Sequence, residues 1–171
     1  MKMSLARIIG GVVMILVIIL IISSTLGREI MAGRQPGLGS FSIIHFAGYL
    51  FFLLMPVEAL VPYYHAEGHA AMILVGLSVG TAIAAQLIDY GVGRLLSERV
   101  VSILGQRKYE RFNGTIDRHG NWAILVFNLL PLSSPNVILV AGIMRFSLGR
   151  TVLISAGGLA VKYLAIVYLF R

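Results

Sequence analysis

Residues 41–64 read FSIIHFAGYLFFLLMPVEALVPYY, and the fold turns on this stretch. Its apolar run from Phe41 to Met55 is 15 residues long, about 22 Å as a helix, whereas a bilayer's hydrocarbon core is about 30 Å thick. Pro56 ends the run by removing a backbone donor and crowding the preceding turn. The second arm, Val57 to Tyr64, is shorter still and carries a further proline, Pro62. Two half-length arms meeting at a proline break read as a re-entrant hairpin that enters the bilayer and returns to the same face. A carboxylate at its tip is costly in hydrocarbon, so Glu58 is a candidate transport residue, a proton or cation site. The alternative is a structural acid that caps the backbone amides freed by the break.

The surrounding composition supports a membrane setting. Of 171 residues, 58% are hydrophobic and 12% charged, too apolar a balance for an ordinary soluble surface. The chain has no cysteine, which excludes disulfides, thiolate metal sites and a cysteine nucleophile. The net charge is +7, yet the basic residues flank apolar runs instead of forming one stripe. They read as topology signals at an anionic lipid surface, and nucleic acid is not expected as a partner. Upstream, Leu5 to Leu26 is an almost unbroken apolar run long enough to cross a bilayer, without the cleavage site of a signal peptide. Arg28 to Ser40 reads as an irregular polar connector.

Downstream, Ala70 to Leu96 forms a second full span. Gly76, Gly80 and Ala84 recur every fourth residue and read as a small-residue face for close helix packing. Gln86, Asp89 and Gly93 make a polar stripe that can turn toward Glu58; Asp89 is a second candidate site acid unless it simply pairs with Arg94. Residues 97–118 form a polar linker, in which Tyr109, Phe112 and Ile116 share a helical face suited to the membrane surface. Asn121 to Met144 repeats the hairpin design, with a break from Asn128 to Asn136 that contains Pro131, Ser133, Ser134 and Pro135. Thr151 to Phe170 is the last span and holds one base, Lys162, near its middle.

The expected fold is therefore an all-α integral membrane domain over residues 1–171, comprising an N-terminal helix and connector (1–40) and a core (41–171). Two opposed re-entrant hairpins and two spans make an inverted repeat, the arrangement that places a transport site between broken helices. With hairpins, the N-terminus is cytoplasmic and the C-terminus outside; if both segments cross fully, the two ends exchange sides.

Three blocks of this sequence are similar to the DedA or VTT proteins, also called SNARE-associated Golgi proteins. They are Pro56-Val57-Glu58, then Gly80 with Asp89-Tyr90-Gly91-Val92-Gly93-Arg94, and His119-Gly120 leading to Pro131 and Ala141-Gly142. The resemblance implies two opposed hairpins and movement of phospholipid or polyprenyl phosphate between leaflets, with acidic residues coupled to protons. Glu58 and Asp89 match the family's acidic positions. Bacterial members similar to this chain usually carry two arginines around the second-hairpin proline, and here Asn128 and Ser134 stand in those places. An anionic headgroup would then meet Arg94, Arg145 or Lys162.

The expected activity is a lipid transporter or scramblase, open to proton coupling and to self-association. The alternatives are a proton-coupled exporter of small cations and a membrane scaffold without transport. Asn128, Ser133, Ser134 and Asn136 are candidates for headgroup contact, with satisfaction of the broken helix as their structural alternative. No enzyme, cofactor or metal is expected. Gly76-Leu77-Ser78-Val79-Gly80 matches a nucleophile-elbow pattern but lacks its strand-to-helix setting. His65, Glu67 and His69 read as a solvated turn, and His45 and His119 as packing residues.

Overall fold

The computed structural model describes residues 16–17, 19–21, 23–50, 57–104, 119–130 and 134–170, without the side chains of 99–104, 134 and 135. The described residues are helical, with short turns and no strand. A π-helical turn, Ser23–Gly27, runs into a short helix, Arg28–Met31. There follow α1 (Leu38–Leu50), a 3-10 turn (Val57–Ala59) continuing into α2 (Leu60–Ala66), and α3 (Ala71–Leu104). α4 (residues 119–129), α5 (Ser134–Ile143) and α6 (Leu148–Leu169) complete the order. Residues Ala71–Glu98 of α3 and all of α6 are long and apolar enough to cross a membrane, whereas α1 is apolar but shorter.

Several local expectations are corrected. Pro62 does not break a helix: it lies in the first turn of α2, where backbone amides have no intrahelical partner to lose. Pro135 is likewise the second residue of α5. Asn128 lies in the last turn of α4, one residue before its end, so the expected break falls where α4 ends. The long span continues as helix through Leu104, into the expected linker. The connector is partly helical, because Glu29 accepts hydrogen bonds from Gly37 N (3.0 Å) and Ser40 Oγ (2.6 Å) and so anchors the start of α1. Pro56, Pro131, Ser133, most of the N-terminal apolar run and the Tyr109-Phe112-Ile116 face lie outside the described residues.

α3 is the element on which the rest is assembled. Its first half packs with α1, α2 and α6 around Phe41, Ile44, Tyr49, Tyr64, Leu159 and Tyr163. Its second half packs with α4 and α5 around Tyr90, Ile124, Ile138, Ala141 and Phe146. The close-packing glycine of α3 is Gly93. A Cβ there would lie 2.2 Å from the Leu139 carbonyl oxygen on α5, and one on Gly142 would lie 2.2 Å from the Tyr90 carbonyl oxygen on α3. Gly76, Gly80 and Ala84 are instead on the exposed side of α3, with nothing within 4 Å of a Cβ built on either glycine. A four-residue spacing fixes a common face but not which way it points, and here the polar stripe through Gln86, Asp89 and Gly93 is the buried one.

Candidate functional site

Two networks join buried polar side chains at different levels of the bundle. The first starts from α1, where Phe41, His45 and Tyr49 lie one helical turn apart on one face, and neighbouring rings on this face stack. α6 brings Lys162 and Tyr163 against that face. Lys162 Nζ donates to Tyr49 Oη at 2.7 Å and to Glu58 Oε1 at 2.9 Å. It also lies 5.0 Å from the ring centre of Tyr163, within cation–π range. The Lys162 side chain is 4% exposed and that of Glu58 21%, so the ion pair joins a buried base to a partly open acid.

His45 continues the network. Its Nε2 is 2.8 Å from Tyr163 Oη, its Nδ1 is 2.8 Å from Thr81 Oγ1, and the Tyr163 and Tyr49 hydroxyls are 3.2 Å apart. Thr81 donates to the Leu77 carbonyl at 2.7 Å, so its oxygen accepts from His45 Nδ1–H. Tyr163 donates to Tyr49, whose oxygen also accepts from Lys162. His45 is thus fully buried and bonded at both nitrogens, which corrects its expected role as an interfacial packing residue.

The second network ties three helices. Gln86 Nε2 donates to Asn128 Oδ1 at 2.7 Å, and Asn128 Nδ2 donates to Ser155 Oγ at 3.2 Å and to the Ile124 carbonyl at 2.8 Å. Asn128 has no exposed surface, and Gly158 admits α4 closely, a built Cβ lying 3.0 Å from that of Asn128. In this position Asn128 holds α3, α4 and α6 together.

The other expected site residues are not gathered here. Asp89 is buried, and its Oδ2 has no hydrogen-bond partner among the described residues. It makes no ion pair with Arg94, which is exposed, and lies two turns beyond Thr81, about 12 Å further along α3. Lys162, and not Asp89, therefore answers Glu58. Arg145 is exposed, 3.8 Å from Glu98, and takes a left-handed φ of 54°. It ends α5 in the position that glycine holds after α2 (Gly68, φ 95°). Asn136 is exposed. Among the described residues no group of acids and histidines is placed to hold a metal; His69 Nε2 bonds the Pro36 carbonyl at 2.6 Å, and His65 Nδ1 lies 3.0 Å from the His69 carbonyl.

Residues 40–171 match the family model of the VTT domain, a range that begins in the first turn of α1 and includes both polar networks. The chain belongs to the VTT-domain family. This is the DedA, or SNARE-associated Golgi protein, family, so the resemblance carried by the short sequence blocks holds over most of the chain. Comparison with curated proteins and with solved structures gives no match. Membership and two membrane-length helices together suggest a membrane protein with a transporter-like role.

Sequence reasoning singled out Glu58 and Lys162 but missed His45, Tyr49, Thr81 and Tyr163. A signal existed: Phe41, His45 and Tyr49 at four-residue spacing in an apolar helix, and a tyrosine beside the only lysine of the last span.

Proposed function

We propose that this VTT-domain protein moves lipid headgroups between the leaflets of a cell membrane, with the Glu58–Lys162 pair at the headgroup site. The observation that carries this reading is the pair itself, a base 4% exposed joined to a partly open acid inside an apolar helical bundle. Charges in such surroundings are retained at a cost in stability, and intramembrane ionisable residues mark transport paths. In this reading α1 and α2 form a re-entrant arm pair, α4 and α5 its counterpart in the second half, and α3 and α6 the spans between them. The N-terminus is cytoplasmic and the C-terminus outside. Acyl chains stay in the bilayer while the headgroup passes the polar network.

The same pair weighs against a small-cation exporter, because an ammonium 2.9 Å from the acid repels a second cation at that place. We also read the chain as non-enzymatic: Ser78 is fully buried and its hydroxyl has no partner, hence no base, among the described residues. Purified protein in vesicles with a labelled phospholipid tests the reading. Wild type is expected to speed leaflet exchange and Glu58→Ala to lose that effect while still inserting. Exchange no faster than in empty vesicles refutes it.

A further inference from the structure

The two members of the ion pair are held very differently. Lys162 sits within the 22-residue helix α6, bonded to the Tyr49 hydroxyl and beside the Tyr163 ring. The Tyr49 hydroxyl is held by a donor from Tyr163, which His45 holds in turn, so the ammonium keeps an oxygen acceptor whatever Glu58 does. Glu58 sits on the three-residue turn Val57–Ala59, its side chain is 21% exposed, and Lys162 is its only bonding partner among the described residues. The base is built in, and the acid is a single contact.

We propose that Lys162 and Tyr49 form a preformed site for a phosphate group, and that Glu58 is a tethered anion occupying it until phosphate displaces it. The ligand class is a phosphate mono- or diester or inorganic phosphate, whose oxygens replace the Glu58 carboxylate on Lys162 Nζ. Displacement exchanges one anion for another on the same ammonium, so the buried charge is never left without a partner. Return of Glu58 then expels the headgroup. His45 and Tyr163 are positioning residues that act through Tyr49. The inference deepens the headgroup reading and rests on it for its biological purpose, while its chemistry is tested by binding alone.

A site with a built-in competitor shows an apparent affinity reduced by the fraction of time the competitor is away. The experiment measures binding of inorganic phosphate, and separately of short-chain phosphatidylglycerol, to detergent-solubilised protein by calorimetry, with leaflet exchange measured in parallel. Glu58→Gln is expected to bind at least one of the two about tenfold more tightly than wild type, and Lys162→Met to bind neither. Tightening for the lipid names the headgroup as the source, and tightening for inorganic phosphate alone names the free ion. In vesicles the same Glu58→Gln protein exchanges lipid more slowly, because nothing expels the headgroup. Should Glu58→Gln fail to fold, Glu58→Asp, one methylene short of Lys162, is expected to show a smaller tightening. Unchanged or weaker binding in the folded acid variants, or tightening that survives in the double variant with Lys162→Met, overturns the proposal. Tight binding without any lipid exchange by wild type would leave the phosphate site standing and refute the headgroup function.

Discussion

Replacing Gly93 by alanine tests the packing of α3 on α5, because the cost can be worked from the backbone. The added Cβ would lie 2.2 Å from the Leu139 carbonyl oxygen and 3.0 Å from Ile143 N. Ordinary carbon–oxygen contacts begin near about 3.3 Å, so the helices must part by about 1 Å. The obstacles are main-chain atoms, and no side chain can swing aside to make room. Overpacking of a close-packed interior typically costs about 1–3 kcal/mol, and this site belongs at the upper end. In a chain of this size each kcal/mol moves Tm by about 2–4 °C, giving a fall of roughly 6–12 °C. Thermal unfolding of the purified protein in detergent, followed by aggregation or loss of the monodisperse peak, measures it. Gly80→Ala is the matched control: nothing lies within 4 Å of its Cβ, so stability holds or rises slightly through helix propensity. Gly142→Ala should resemble Gly93→Ala, and the double variant should cost less than the sum, since helices already parted admit the second methyl. Equal melting of the Gly93→Ala and Gly80→Ala proteins would refute the reasoning.

Lys162→Met is expected to lower stability by roughly 3 kcal/mol, the low end for breaking a buried pair because Glu58 keeps some water, and Glu58→Gln in the same chain should recover much of it in a double-mutant cycle. Asn128→Ala strips Gln86 and Ser155 of their partner in a fully buried place, at about 1–3 kcal/mol, and unfolding in mild detergent should show it. Glu29 has a pKa held below the usual glutamate value, first by the Ser40 hydroxyl and then by the Gly37 amide. Its contribution is therefore present above the ordinary glutamate range and lost as pH falls below it; Glu29→Gln should remove that acid dependence while melting near wild type's acid value.

How much of this was legible in the sequence depends on what each residue does. The membrane class, the two spans, Glu58 and Lys162 follow from composition and from the cost of charge in an apolar run, quantities that need no third dimension. Which face of α3 is buried does not follow, because Gly76, Gly80 and Ala84 have the same spacing as a packing motif and differ only in what lies opposite. Asn128 was read as part of a break because Pro131 follows closely; it does lie in the last turn of its helix, but its amide serves three helices, which no local pattern announces. His45 was passed over because a lone histidine carries no sign of its partners; Thr81 and Tyr163 lie 36 and 118 residues away in sequence.

The vertical separation of the two networks bears on how the bundle could work. Along α3, Thr81 lies ten residues from the start of the helix and Gln86 fifteen, about 15 and 22 Å in. The Asn128 knot is closed: its partners come from long or well-packed helices, and each is satisfied within the protein. The Lys162 cluster differs in one member only, since Glu58 comes from a short turn and keeps a share of solvent. Movement therefore costs least at Glu58, where one contact is exchanged, and most at Asn128, where parting the helices leaves several buried groups bare at about 1–3 kcal/mol each. A headgroup path that opens beside Glu58 while α3, α4 and α6 stay knotted needs only the first of these. On the proposed reading, the knotted end of the bundle would stay fixed while the Glu58 end moves.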